Sequence, residues 1–451
     1  MADRILVPFK GDGAGTGELT WGHRQIWKTM EETGTSQSMA AVVPLPPGKT
    51  AADLAGELEF FMCRYESMRT RMRFDAAGRP TQVTADSGEI ALDIVDTGGA
   101  DPAVVADALA ARWEDAVFDY VDEWPVRMAA VRHRGVDTHV VVVLCHLAAD
   151  GMGVAVMMSE LAARDPATGR AAGPVTTMQP RELALQQDTP AARRQSDTAM
   201  RHWERILRTV APRRFGAPVD RPGPRFRQVT LTSPATYLAI QPIAARTGGD
   251  PAPVLLAAFA VALARLTRND PVVTQAIVSN RFRPGLSDVV SPVSQNGLFV
   301  VDVADATFDE VVERARRASM AGSKHAYYDP DQLDELIARV GRERGEQIDL
   351  ACVFNDRRIQ ARQLPAGPPP TAHQIHAALP GAVLAWGRPL ARFNEKLMVT
   401  VNDVPGTIEV LAEVDTRHLA PDDVEALLHG METVVVEAAP DPAGAVSTGT
   451  A

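Results

Sequence analysis

The pattern of apolar positions alternates between helix-like and strand-like segments. Apolar residues recur at helical spacing over residues 51–71 and again over residues 101–119. Two apolar runs follow, Val126–Val131 and Val140–Leu144, and the stretch between them contains Gly135. These runs predict an antiparallel hairpin whose second strand, apolar on both faces, is buried in the centre of a sheet.

The second half of the chain repeats this order of elements. A long apolar segment, Val254–Leu266, predicts a helix, and Val272–Val278 and Leu298–Val303 predict strands after it. Thr307 and Glu310 have the spacing of a capping box, which predicts that another helix begins there. Further strands are predicted at Asp349–Phe354, Leu397–Val401 and Thr407–Val414.

A change of composition separates the two halves. Residues 166–198 are rich in Pro, Gly, Thr, Gln and Ala and have weak periodicity, and a helix is expected around Trp203–Leu207. We therefore predict an α/β fold with mixed sheets and two lobes. The N-terminal lobe covers residues 1–175, the C-terminal lobe covers residues 176–438, and the small, polar residues 439–451 form a disordered tail.

Composition narrows the class of protein. The chain has 451 residues, a formal net charge of −11 and no dense Lys/Arg tract, which does not favour a nucleic-acid partner. No apolar run is long enough for a membrane span and no signal peptide is evident, so we expect a cytoplasmic protein. Cys63, Cys145 and Cys352 have no metal-ligand or redox spacing, and no metal is expected. The abundance of Arg and Ala over Lys suggests a bacterial gene.

The segment from Val140 to Gly153 (VVVVLCHLAADGMG) is the strongest candidate for chemistry. His146 follows a buried strand, where an imidazole is held rigidly and can accept a proton from an attacking amine or hydroxyl. Gly151 and Gly153 allow a tight turn and expose backbone N–H groups near a helix start, where negative charge could be stabilised. Asp150 could orient the imidazole or bind an arginine elsewhere. The alternative is a histidine and a turn with structural roles only.

Four ordered segments resemble the motifs of condensation domains of nonribosomal peptide synthesis. Residues 145–151 (CHLAADG) resemble H-H-x-x-x-D-G, with Cys145 in place of the first His. Leu19–Trp27 (LTWGHRQIW) is similar to L-S-x-A-Q-x-R-L-W, and Arg64–Met72 (RYESMRTRM) is similar to R-H-E-x-L-R-T-x-F. Asn296–Val300 resembles I-G-x-F-V-N, and the segment SNRFR, which contains Arg281, lies just upstream of it.

The resemblance implies roles for individual residues. His146 takes the place of the functionally central His, and Gly151 lies beside the tetrahedral intermediate. Asp150 is mainly structural and pairs with Arg281, while Cys145 is a structural substitute rather than a nucleophile, since buried thiols are usually inert. The fold implied is two chloramphenicol acetyltransferase-like lobes in a V with a central tunnel.

The resemblance implies an acyltransferase that acts in the biosynthesis of a natural product, for example an antibiotic. We expect a stand-alone condensation enzyme that forms an amide between a carrier-bound acyl or aminoacyl thioester and an acceptor amine. Acyl or peptidyl carrier proteins would act in trans and deliver substrates on phosphopantetheine, and no cofactor would be needed. The alternatives are an ester-forming enzyme, an acyltransferase for a free small molecule, and a non-catalytic recruitment module.

Other polar residues of the matched segments favour structural roles. Trp27, Arg64 and Arg69 are interpreted as packing and ion-pair residues rather than catalytic ones. His23 lies in the first matched segment and could approach the site, although a histidine on a helix surface is a common alternative.

Overall fold

The computed structural model describes residues 3–165, 173–358 and 367–440. The chain divides into two compact units, Met1–Arg194 with Ser279–Gln295, and Gln195–Val278 with Asn296–Ala451. The predicted lobe boundary at residue 175 stays a prediction, although the first unit extends beyond it and includes a later segment. Of the predicted tail, residues 441–451 lie outside the described residues.

The first unit is built on a mixed sheet. Its strands are β1 (Asp3–Lys10), β3 (Met39–Pro44), β6 (Ser87–Asp96), β7 (Val126–His133) and β8 (Val136–Leu144). Their order is β1-β6-β7-β8-β3, in which β6 and β7 are parallel and the other neighbours are antiparallel. The predicted hairpin is present as β7 and β8, and β8 lies between β7 and the edge strand β3 rather than at the centre.

Helices cover both faces of this sheet. Alternate residues of β7 face opposite sides, so that Met128 and Ala130 pack with α2 (Ala51–Arg64) while Ala129 and Val131 pack with α3 (Pro102–Asp115). A smaller antiparallel sheet has the order β2-β5-β4. The remaining elements are α1 (Trp21–Thr33), α2 (Ala51–Arg64), α3 (Pro102–Asp115), α4 (Gly151–Ala162), α5 (Pro180–Gln187), β2 (Gly15–Gly17), β4 (Thr70–Phe74) and β5 (Pro80–Thr84).

The second unit contains a larger mixed sheet with the order β11-β10-β12-β14-β15-β9-β13. Apolar residues of α7, α8, α9 and α12 form one core with this sheet. Its strands are β9 (Phe226–Ser233), β10 (Val272–Val278), β11 (Gln295–Val301), β12 (Cys352–Asp356), β13 (Val383–Trp386), β14 (Leu397–Val404) and β15 (Thr407–Asp415). Its helices are most of α6 (Pro190–Leu207), then α7 (Pro234–Arg246), α8 (Ala252–Thr267), α9 (Phe308–Lys324), α10 (Pro330–Arg344), α11 (Ala372–Ala378) and α12 (Pro421–Ala438).

The α/β class with mixed sheets is therefore confirmed, and some element boundaries differ from the prediction. The helix predicted over residues 51–71 ends at Arg64, because a 3₁₀ turn and strand β4 follow. The capping box of Thr307 and Glu310 is present at the start of α9. Among the described residues, no helix is both long enough and apolar enough to cross a membrane.

The second part of residues 166–198, where the sequence shows weak periodicity, contains α5 and the first half of α6, the helix expected around Trp203–Leu207. Residues 166–172 lie outside the described residues. The sequence signal for a helix was weak here because α6 buries Ser196 and Ala199, which are small or polar, together with Trp203 and Leu207. Helical spacing of buried positions was present, but it was not marked by large apolar side chains.

Candidate functional site

His146 lies in a tight turn that follows β8 directly. The N–H of Ala148 donates to the carbonyl of Cys145 at 2.9 Å, which closes the turn over His146 and Leu147. The imidazole is half-buried, and the backbone N–H of His146 donates to the carbonyl of Ser36 at 3.4 Å. Strand β8 and this turn therefore fix the backbone of His146, as the sequence predicts. Its catalytic role stays a prediction.

Asp150 ends this loop and caps the helix that follows. Its Oδ1 accepts a hydrogen bond from the N–H of Gly153 at 2.8 Å, which satisfies a donor in the first turn of α4. The same oxygen lies 2.5 Å from Nη2 of Arg281, so the expected ion pair between Asp150 and Arg281 is present. Asp150 is 4% exposed and Arg281 is 8% exposed, which makes this a buried pair.

The second carboxylate oxygen of Asp150 binds the segment that follows Arg281. Oδ2 accepts from Oγ of Ser294 at 2.8 Å and from the backbone N–H groups of Val293 and Ser294, each at 3.3 Å. Burial by itself raises the pKa of Asp150, but the charge of Arg281 and the hydrogen bonds from Gly153 and Ser294 outweigh it and hold the pKa below its usual value. Asp150 is therefore charged and binds both Arg281 and the segment of Val293 and Ser294.

Arg281 also binds backbone carbonyls of the segment that follows it in the sequence. Nη1 donates to the carbonyls of Val289 at 2.8 Å and Ser287 at 3.2 Å, and Nη2 reaches the carbonyl of Ser291 at 3.5 Å. The planar guanidinium, with several donors in a fixed geometry, suits this combination of one carboxylate and several carbonyls. The pair therefore joins the His146 loop to residues 287–294 within the first unit.

The two glycines of the loop have different surroundings. Gly151 is exposed, and a Cβ placed on it would have no heavy atom within 4 Å. A Cβ on Gly153 would lie 3.2 Å from Cβ of Ala149 and 3.4 Å from Nη2 of Arg281, close to the ion pair. Both glycines are part of α4, so the prediction that they form the tight turn is wrong: the turn lies earlier, at residues 145–148. The oxyanion role of Gly151 stays a prediction.

Cys145 is 1% exposed and lies in an apolar cluster with Leu19, Met72, Phe118 and Leu147. Burial raises the pKa of its thiol to about 12, so the thiolate is not populated near neutral pH. Its Sγ lies 3.9 Å from the carbonyl oxygen of Ser36, a long and weak contact. These features disfavour a nucleophile at this position.

The sequence left His23 open between a position near the site and one on a helix surface. The imidazole is 3% exposed, so it does not lie on the surface. Its Nε2 lies 3.0 Å from the carbonyl oxygen of Leu147, next to His146. The available signal was its position in the segment Leu19–Trp27, close to the helix start, where a buried polar side chain needs partners.

The segment Arg64–Met72 contributes structural contacts, as expected. Arg64 forms an ion pair with Glu160, and Glu66 forms a two-pronged pair with Arg181 at 3.0 and 3.1 Å. Arg69 is buried and donates to backbone carbonyls, including that of Ala85 at 3.2 Å. These residues stabilise the first unit rather than form reactive groups.

Metal binding finds no support in the described part of the chain. Among those residues, no group of three His, Cys, Asp or Glu side chains could hold a metal ion. The expectation that the reaction needs no cofactor stays a prediction.

Comparison with known proteins bears on the family and the fold of the chain. The sequence model of the Condensation domain family matches residues 17–368. The chain is 26% identical over 470 residues to the nonribosomal peptide synthetase CymA of Salinispora arenicola, covering 95% of this chain and 6% of that protein. The chain therefore spans a small part of this relative.

Solved structures show the same fold at low identity. The condensation domain that mediates chain release from the enacyloxin polyketide synthase has a TM-score of 0.72 and 18% identity, covering 98% of this chain and 86% of that one. SgcC5 from Streptomyces globisporus, solved with a naphthyl ethanediol, has a TM-score of 0.70 and 16% identity, with coverages of 94% and 99%. With the family match over residues 17–368, these findings show that the chain belongs to the condensation domain family.

Proposed function

We propose that this chain forms an amide bond between a carrier-bound acyl or aminoacyl thioester and an acceptor amine. The observation that carries the proposal is the loop of residues 145–151, in which His146 follows β8 directly and Asp150 is held by Arg281. Family membership supports a condensation reaction, and the loop supplies a histidine on a rigid backbone.

The proposed reaction transfers the acyl group from sulfur to nitrogen. The amine nitrogen attacks the thioester carbonyl, a C–N bond forms, and the C–S bond breaks with release of the phosphopantetheine thiol. His146 accepts the proton that the amine loses and returns one to the departing thiolate, so that no net proton is gained or lost. The thioester supplies the driving force, and the proposal requires neither a metal nor a soluble cofactor.

Backbone amides at the start of α4 would stabilise the tetrahedral intermediate. The N–H groups in the first turn of a helix have no intrahelical partner, and Gly153 already donates to Asp150. This leaves the N–H groups of Gly151 and Met152 as the candidate donors to the oxyanion. The open space around the Cα of Gly151 is consistent with a reacting group nearby.

Two other functions compete with amide formation. Acylation of a free hydroxyl compound is favoured by the likeness to SgcC5, which was solved with a diol. A non-catalytic recruitment module is favoured by Cys145 in place of the first motif His. The retention of His146, Asp150 and Gly151 in one ordered loop supports the catalytic proposal over the recruitment module.

The decisive experiment is an assay with carrier proteins supplied as separate proteins. One carrier bears an acyl or aminoacyl thioester and the other bears an amine, and intact-mass spectrometry follows transfer between them. Parallel reactions replace the second carrier with free amines or diols, and a further one contains a chelator. We expect transfer to the carrier-bound amine, with no loss on chelation. Transfer only to free alcohols would replace amide with ester formation, and no transfer to any acceptor would favour recruitment.

A further inference from the structure

The His146 turn is held by an imidazole from a different element. Nε2 of His23 lies 3.0 Å from the carbonyl oxygen of Leu147. Leu147 is the residue after His146 in the turn that the Cys145 carbonyl and the Ala148 N–H close. A contact at this position constrains the turn from an element 124 residues away in the sequence.

The hydrogen bonds around His23 can all be satisfied by a neutral ring. A carbonyl oxygen can only accept, so Nε2 carries the hydrogen that is donated to Leu147. Nδ1 of the neutral ring then accepts from the hydroxyl of Thr20 at 3.0 Å, and that hydroxyl accepts from the N–H of His23 at 3.1 Å. Both ring nitrogens and the cap of α1 are satisfied in one neutral tautomer.

The same imidazole faces the segment that Asp150 and Arg281 hold. Oγ of Ser291 lies 3.3 Å from Nε2 of His23. One residue earlier in α1, a Cβ on Gly22 would lie 2.0 Å from the carbonyl oxygen of Pro292, so glycine is needed for this close approach. The first turn of α1 therefore contacts both segments that meet at the Asp150–Arg281 pair.

We propose that His23 is a positioning residue that fixes the His146 turn by donating from Nε2 to the carbonyl of Leu147. The inference rests on the proposed condensation function, in which His146 reacts. Cys145 cannot supply an equivalent polar anchor, because its thiol is a weak donor 3.9 Å from its acceptor. His23 thus provides a polar contact to the turn that Cys145 does not.

Three variants separate the bond to Leu147 from burial alone. His23→Gln keeps a side-chain N–H at about the reach of Nε2, and glutamine also stands at this position in the motif L-S-x-A-Q-x-R-L-W. His23→Asn keeps a polar group within reach of Thr20 but is too short for Leu147. His23→Leu removes both bonds. His133→Leu is the matched control, because His133 bonds to Thr97 at 2.8 Å at the far end of β7.

Two measurements are made on each folded variant. Amide hydrogen exchange read by mass spectrometry follows residues 145–153, and the carrier assay gives kcat and KM. We expect His23→Asn and His23→Leu to exchange faster in this segment and to lose roughly 10- to 100-fold in kcat with little change in KM. His23→Gln keeps most of the activity and protection, and His133→Leu resembles the natural protein in both.

The outcomes distinguish a failure of this inference from a failure of the proposed function on which it rests. Normal exchange and normal kcat in His23→Asn, or a His23→Gln variant as impaired as His23→Asn, would overturn the role of His23. If the natural protein transfers no acyl group, the proposed function fails, and hydrogen exchange alone decides whether His23 holds the turn. Where His23→Leu does not fold, the comparison of His23→Asn with His23→Gln decides.

Discussion

Asp150 and Arg281 form a buried ion pair, with Oδ1 and Nη2 2.5 Å apart and neither side chain more than 8% exposed. Removing one member leaves the other charged and desolvated, which is costly. We expect Asp150→Asn and Arg281→Ala each to lower the free energy of unfolding by about 3–5 kcal/mol. Urea denaturation measures the change.

The control is an ion pair of the same types on the surface. Arg193 and Asp188 have side chains that are 64% and 77% exposed, and Arg193→Ala should lower the free energy of unfolding far less than either buried-pair variant, because water screens exposed charges. Equal, small losses in the buried and surface variants would show that the Asp150 pair contributes little to stability.

His146→Ala should abolish most product formation while the melting temperature stays nearly unchanged. The side chain is half-buried in a turn, so its removal leaves the core intact, whereas loss of a general base costs roughly 10²- to 10⁴-fold in rate. His139→Ala, on β8, is the matched control and should keep its activity. Full turnover by a folded His146→Ala variant would remove His146 from the mechanism.

Cys145→Ser and Cys145→Ala should keep substantial activity. The thiol is buried with a pKa raised to about 12, so it is not available as a nucleophile. Product assays and intact-mass spectrometry test this together. Loss of activity in both folded variants, with an acyl group trapped on Cys145 of the natural protein, would identify a covalent mechanism instead.

Gly151→Ala should lower activity without lowering stability. The new Cβ meets no heavy atom within 4 Å, and alanine favours a helix over glycine by about 0.5–1 kcal/mol. The methyl group would occupy space beside the N–H groups assigned to the oxyanion. Thermal unfolding and the carrier assay measure the two effects, and unchanged kcat and KM would place the reacting carbonyl elsewhere.

The burial of the His23 imidazole predicts that the stability of the protein depends on pH. Burial lowers the pKa of His23 from 6.5 to about 4, although its bond to Leu147 acts in the opposite direction. Between these values the unfolded chain binds the proton and the folded chain does not, so stability falls as the pH drops from 6.5 towards 4. Through this histidine, lowering the pH from 7 to 5 should therefore reduce the free energy of unfolding of the natural protein by about 2 kcal/mol.

The comparison with His23→Gln isolates this effect. Glutamine does not titrate, so the variant lacks this part of the acid destabilisation, while contributions from other groups appear in both proteins. Denaturant unfolding at pH 7 and pH 5 measures the difference. The same loss of stability in both proteins would show that His23 is protonated in the folded state.

Local features of the site could be predicted from the sequence. The run Val140–Leu144 predicted the strand that precedes His146, and the capping box at Thr307 predicted the start of α9. Both depend on residues close in sequence, through side-chain alternation along a strand and hydrogen bonds within one helical turn. The ordered motifs added the family and indicated Arg281 as the partner of Asp150.

Only the tertiary structure decided which distant groups meet. Asp150 and Arg281 are 131 residues apart, and His23 and Leu147 are 124 residues apart. The position of His23 in the matched segment Leu19–Trp27 was a signal for the site, but its local apolar pattern does not distinguish a surface histidine from a buried one, because burial depends on what packs against α1. The sequence therefore determined the strand, the loop and the helix that carry His146, Asp150 and Gly151. The fold decided how they are held, because a buried polar group takes its partners from whichever backbone lies beside it.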